Sequence, residues 1–152
     1  MIYVDTSALL KLVKDDEAEG PALRAYLEGM AEPRLVSSAI LAVEARRGML
    51  RVRPEGLPKV DLLLAGVAQI SISDAVIEGA SRLPGPMLRS LDAIHLATAL
   101  LIRDDVETML AYDARLRDAA VAHGLPTAAP GLIQVTATPP ASSAAAIPNA
   151  AE

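Results

Sequence analysis

Five carboxylates in this sequence stand where chemistry could use them. Asp5 directly follows the apolar run Ile2-Tyr3-Val4 and precedes Thr6-Ser7 at the start of a helical pattern. Asp113 follows the run Thr108 to Tyr112 in the same way, and Asp74 follows Gln69 to Ile72. In an open parallel sheet, ligand sites gather at the carboxyl ends of strands, so each of these acids is well placed for function. Each could equally cap the helix after it. For Asp5 the two readings are even, and for Asp74 and Asp113 taken singly capping is the default. Asp92 is more telling, because the segment Ser90 to Ile102 is apolar nearly all the way round and so predicts a buried helix. The helix dipole stabilises a first-turn carboxylate by about 0.3 to 1 kcal/mol, too little to offset burial of an unpaired charge. Ser90 already stands at the expected cap position, so Asp92 needs a cation or an opening to solvent. Glu44 lies on or beside the apolar stripe marked by Ile40 and Val43, facing inward or else pairing with Arg47.

Several ionised carboxylates brought close together raise one another's pKa values unless a cation joins them. The chain has no Cys and only two His, so oxygen ligands for a hard cation, magnesium or manganese, fit better than a zinc set. The chemistry in outline is phosphoryl transfer or phosphodiester hydrolysis. His95, three residues after Asp92, is expected to be buried and hydrogen-bonded in a structural role. Asp15, Asp16, Glu17 and Glu19, and likewise Asp104, Asp105 and Glu107, read as solvated acidic faces.

The elements that must position these groups alternate along the chain. Short runs at Ile2 to Val4, Arg34 to Val36, Gln69 to Ile72, Thr108 to Tyr112 and Pro126 to Ala129 predict five strands. Between them, apolar spacings of three and four predict helices over Ser7 to Lys14, Ala18 to Gly29, Ser38 to Gly48, Leu57 to Gly66, Asp74 to Leu83, Leu91 to Arg103 and Ala114 to His123. That alternation predicts an α/β protein with a mostly parallel sheet covered on both faces. One domain spans residues 1–131. Residues 132–152, rich in Ala, Pro, Ser and Thr, predict a disordered tail.

The balance of 14 Lys and Arg against 19 Asp and Glu in 152 residues, with no Phe or Trp, argues against nucleic-acid binding by a basic face or by stacked rings. Yet Asp5, Glu44, Asp92 and Asp113 are four of those 19 acids, and without them acids and bases nearly match. A bound divalent cation would offset part of this charge and make the cleft acceptable to phosphate. No leader or membrane span is expected, since Asp5 and Lys11 interrupt the first apolar run and no stretch nears about 20 apolar residues. A soluble, cytoplasmic protein is the expectation.

The segments Ile2 to Leu10, Val43-Glu44-Ala45-Arg46-Arg47-Gly48, Ser90 to Ala99 and Tyr112-Asp113-Ala114-Arg115-Leu116, in this order and spacing, resemble the successive motifs of PIN-domain proteins. They are most similar to the VapC-type toxins of prokaryotic toxin–antitoxin pairs. The resemblance implies a three-layer fold around a five-stranded parallel sheet of order 3-2-1-4-5. In that order Asp5 and Asp113 end adjacent strands at the switch point, and Asp74, at the far edge, is better read as a cap. It further implies that Asp5, Glu44, Asp92 and Asp113 hold Mg2+ or Mn2+ for endoribonuclease cleavage, with the Ser7 hydroxyl supporting Asp5. The implied partners are an RNA substrate, a VapB-like antitoxin and a second copy of the chain. Arg46, Arg47 and Arg89 are the candidate RNA contacts, in a basic stretch that also includes Arg51 and Arg53. Tyr112 could face a base or the core. One departure is Ala111, where the family often has Thr or Ser two residues before the last Asp. A catalytically weak PIN-fold module that binds RNA or protein without cutting is therefore the alternative. A phosphatase using Asp5 as nucleophile is disfavoured, since Ser7 stands where a second acid would be wanted.

Overall fold

The structure, a computed structural model, describes residues 1–14, 18–85 and 87–132. Residues 133–152 of the tail and three acids of the first acidic cluster, Asp15, Asp16 and Glu17, lie outside the described residues. Five parallel strands, β1 (Ile2–Val4), β2 (Leu35–Ser38), β3 (Val67–Ile70), β4 (Thr108–Leu110) and β5 (Thr127–Ala128), form one sheet in the order β3-β2-β1-β4-β5. Seven α-helices connect and cover them: α1 (Thr6–Val13), α2 (Glu19–Glu28), α3 (Ile40–Val52), α4 (Leu57–Ala65), α5 (Asp74–Arg82), α6 (Ser90–Leu101) and α7 (Ala114–Ala122).

Strand alternation explains the layers. On β1, Ile2 and Val4 join a core cluster with Ala8, Leu9 and Leu12 of α1, Leu23 of α2, Leu41, Ala45 and Met49 of α3, and Val60 and Leu64 of α4. Tyr3, between them, points to the opposite face, where it packs with Val36, Leu96 and Ala99 of α6, and Leu116 and Ala120 of α7. On β4, Leu110 belongs to the first cluster and Met109 to the second. The period of two along each strand thus sends successive residues to the two helical layers. All three residues of β1 are buried, as expected for the central strand of a doubly covered sheet.

The α/β class and the strand order agree with expectation, while several boundaries move. β3 lies at Val67–Ile70 rather than Gln69 to Ile72, because its register pairs Leu35 with Val67 and Ser38 with Ile70. Val67 is buried whereas Ala68 and Gln69 are exposed, so this edge strand lacks the doubly buried pattern that marks β1. β2 runs on to Ser38 and α3 starts at Ile40, because Ser38 is held in the sheet by its pairing with Ile70. β4 stops at Leu110 and β5 is reduced to Thr127–Ala128.

Two capping assignments also change. The cap of α5 is Ser73, whose hydroxyl accepts from the Val76 N–H, so Asp74 occupies the first helical turn. At α6 the cap is Arg89, with no side-chain capping bond, and Ser90 is the first helical residue. Glu19 is not on a solvated face: it pairs with Lys11 at 2.9 Å with both side chains mostly buried. Asp104, Asp105 and Glu107 are exposed as expected. No helix among the described residues is long and apolar enough to cross a membrane.

Candidate active site

β1 and β4 are parallel neighbours with Val4 opposite Leu110, and the Asp5 N–H continues the ladder to the Leu110 carbonyl at 3.0 Å. The chain then leaves both strands into helices, which places Asp5 and Asp113 at the carboxyl ends of adjacent strands. Asp74 follows β3 at the sheet's edge, two strands from β1.

Asp5 is 4% exposed and caps α1. Its Oδ2 accepts from the Ser7 N–H at 3.0 Å and from the Ser7 hydroxyl at 2.6 Å. The same hydroxyl accepts from the Tyr112 N–H at 2.8 Å, so Ser7 ties the end of β1 to the segment beyond β4. Asp5 makes the cap that the sequence set against a site role, and the cap bonds engage Oδ2 alone.

Asp113 also caps its helix, accepting from the Leu116 N–H through Oδ1 at 3.1 Å, and its Oδ2 faces Arg115 at 3.4 Å. Burial raises its pKa, but the Leu116 N–H and Arg115 outweigh that, so the carboxyl sits below the usual range.

Asp92 lies in the first turn of α6 with Oδ2 buried and without a hydrogen-bond partner. Burial, followed by the charges of Asp113 and Asp5, pushes its pKa up; the charge and backbone N–H of Arg89 only partly counter this. The charges of Asp113 and Asp5 thus act on Asp92.

Glu44 reaches the group from α3. Its Oε2 accepts from the Thr6 hydroxyl at 2.9 Å and lies 2.8 Å from His95 Nε2, which is itself 3.6 Å from Asp5 Oδ1. Burial raises the Glu44 pKa, but the hydrogen bonds from His95 and the Thr6 hydroxyl outweigh it and hold the carboxyl low. The expected alternative, a pair with Arg47, is not formed; Glu44 turns inward to His95 and Thr6 instead.

His95 is buried at 1% exposure, as expected, but its partners are members of the site. Thr6 and Tyr3, whose hydroxyl lies 3.0 Å from His95 Nδ1, were not singled out in the sequence. The available signal was position: Thr6 adjoins Asp5, and His95 follows Asp92 at helical spacing on one face.

Of the candidate RNA contacts, Arg47 lines a cavity of about 400 Å³ together with Thr6, Val43, Glu44, Arg51 and Leu91. Arg89 is exposed and its charge acts on Asp92. Arg46 points elsewhere, pairing with Asp61 of α4 at 2.8 Å, because the next residue on a helix is rotated by about 100°. Tyr112 packs against the core, donates its hydroxyl to the Pro130 carbonyl at 2.7 Å and lies under Lys11. Ala111 is fully buried in the core cluster of α6 and α7 and brings no hydroxyl.

Could these residues hold a cation? Among the described residues no three acids or histidines converge closely enough to form a ready-made metal cage. Asp92 Oδ2 nevertheless stands buried without a hydrogen-bond partner, and the charges of Asp113 and Asp5 act on it. Oxygen donors of this kind suit a hard divalent ion that keeps several waters, rather than one enclosed by protein ligands.

An α/β protein with a parallel sheet, a strand-order reversal beside its central strand and acids gathered at that point is the class that fold and site define. The chain matches the family described as PIN domain over residues 2–122. It is 43% identical over 133 residues to Ribonuclease VapC35 of Mycobacterium tuberculosis, covering 86% of this chain and 98% of that protein. The chain belongs to the PIN-domain family, in its VapC branch. Its fold is similar to that of M. tuberculosis VapC20, described as a sarcin-ricin loop cleaving toxin, with TM-score 0.66 at 16% identity over 78% of this chain and 95% of that one. It is also similar to a chain of a toxin–antitoxin complex from Klebsiella pneumoniae, with TM-score 0.59 at 25% identity over 76% and 88% of the two chains.

Proposed function

We propose that this protein is a metal-dependent endoribonuclease, the toxin of a VapB–VapC-type pair, with Asp5, Glu44, Asp92 and Asp113 as its catalytic acids. The observation that carries the metal-dependent part is the buried, unpartnered Asp92 Oδ2, raised in pKa by burial and by Asp113 and Asp5. The family membership and the ribonuclease relative support the rest.

The four acids would hold Mg2+ or Mn2+. When bound, such a cation acidifies water and neutralises charge growing on a phosphate in an in-line displacement. The protein's own part is to fix the donors before substrate arrives. Ser7 holds Asp5 by two bonds to one oxygen, the α7 amino end holds Asp113, and Thr6 with His95 holds Glu44. Such fixed oxygens need little reorganisation as charge develops. Arg47 and Arg51 on the wall of the Glu44 cavity, and Arg89 beside Asp92, supply positive charge for RNA phosphates.

The same acidic cleft, flanked by exposed Val43 and Leu91, suits an antitoxin segment that combines a basic side chain with apolar ones. A homodimer, a cytoplasmic location and a catalytic unit confined to residues 1–131 belong to this reading.

The test is cleavage of RNA by purified protein in Mg2+ or Mn2+. Activity lost with EDTA and in Asp5→Asn is expected. Cleavage that survives either treatment would overturn the mechanism, and tight RNA binding with no products would favour a non-cutting module.

A further inference from the structure

His95 bridges the core to the candidate site. On one side its Nδ1 lies 3.0 Å from the hydroxyl of Tyr3, which is fully buried on β1. On the other its Nε2 lies 2.8 Å from Glu44 Oε2 and 3.2 Å from the Thr6 hydroxyl. The Tyr3 oxygen accepts the Ser38 N–H of β2 at 3.1 Å. The Tyr3 hydroxyl also meets the Ser37 and Thr98 side chains, so the tautomer is set from the other side of the ring: a carboxylate only accepts, and Glu44 Oε2 at 2.8 Å calls for a proton on Nε2, which leaves Nδ1 of a neutral ring to accept from Tyr3. An imidazole that accepts at Nδ1 carries its proton on Nε2, and here that N–H points at Glu44.

We infer that His95 is a positioning residue for Glu44, with Tyr3 as the group that holds its ring in place. The chain of cause runs from the β1–β2 ladder to the Tyr3 hydroxyl, from there to the ring, and from Nε2–H to the carboxylate. Both donors to Glu44, His95 and Thr6, meet on Oε2, which leaves Oε1 outside that pair of bonds. Without His95 the carboxylate would lose one of its two anchors and turn more freely about its side chain. The inference rests on the proposal that Glu44 helps to hold a divalent cation. Groups that orient metal ligands in this way typically change metal affinity by about 10- to 100-fold when removed.

Two measurements test it. The first is the 15N NMR spectrum of the imidazoles in metal-free protein at neutral pH, with His123, the other histidine, assigned through His123→Gln. Protonated Nε2 with unprotonated Nδ1 on His95 is expected; unprotonated Nε2, or a proton on both nitrogens, overturns the inference. The second is titration with Mn2+ of wild type, His95→Gln and His95→Leu, with thermal unfolding recorded on the same samples. The Gln amide can donate to Oε2 and Leu cannot. Affinity about 10- to 100-fold weaker in His95→Leu and largely restored in His95→Gln is expected. Should His95→Leu not fold, Tyr3→Phe takes its place, with a weaker affinity expected. Equal affinity in all proteins, or equal loss in His95→Gln and its partner variant, overturns the inference while leaving the functional proposal standing. A wild type that binds no Mn2+ overturns both.

Discussion

The Ser7 hydroxyl donates to Asp5 Oδ2 at 2.6 Å while it accepts the Tyr112 N–H at 2.8 Å. One side chain thus fixes the acid after the central strand and the backbone beside Asp113. Ser7→Ala removes both bonds and strands the Tyr112 N–H, which costs about 1 to 3 kcal/mol for a buried donor. Chemical denaturation should show that loss, and the rate of RNA cleavage should fall with it. Ser7→Thr keeps the hydroxyl and should recover most of both.

Asp92 and Glu44 predict opposite responses to pH. A carboxyl raised in the fold, such as Asp92, favours the folded state when protonated, and that contribution disappears as pH climbs from the ordinary value of 3.8 through the raised one. Glu44 is lowered, so its contribution is present above the ordinary value of 4.5 and is lost as pH falls through the folded pKa. In EDTA, Asp92→Asn should therefore gain stability over wild type as pH rises from 3 to 7. Glu44→Gln should lose stability most at neutral pH and converge on wild type in acid. Urea unfolding at several pH values checks both.

Adjacent arginines on α3 should behave differently. Arg46 is spent on an exposed pair with Asp61, a contact worth about 0.2 to 1 kcal/mol, so Arg46→Ala should change stability slightly and cleavage hardly at all. Arg47, on the wall of the Glu44 cavity, should raise KM when replaced by Ala. The salt dependence of RNA binding should also become shallower by about one counterion.

The fold and the charged groups of the site were largely legible in the sequence, because short apolar runs alternate with helical spacing and the motifs carry acids at strand ends. What the local pattern left open, and the family resemblance settled only through its strand order, was which acid after a strand belongs to the candidate site. Asp5, Asp74 and Asp113 look alike locally, and only the strand order, which places β3 at the edge and β1 beside β4, separates them. The hydrogen-bond network was missed for a related reason. Tyr3 with His95 and Thr6 with Glu44 meet across long stretches of chain, and no local period encodes such pairings. β3 was misplaced because Val67 and Ala68 extend the apolar run of α4, and an edge strand with exposed residues offers little pattern of its own.

If residues 1–131 form the catalytic unit, a protein ending at Leu132 should match the full chain in thermal unfolding and in RNA cleavage. A loss of either beyond error would assign the last residues a part in the function.

The central claim is that the acids around Asp92 hold the divalent cation on which RNA cleavage depends. Anomalous diffraction from crystals grown with Mn2+ tests it most directly. The account predicts a manganese peak within coordination distance of Asp92 Oδ2 and of at least one oxygen of Asp5 or Asp113, absent from crystals of Asp92→Asn. Crystals saturated with Mn2+ that show no peak there, or the same peak in the variant, would contradict it.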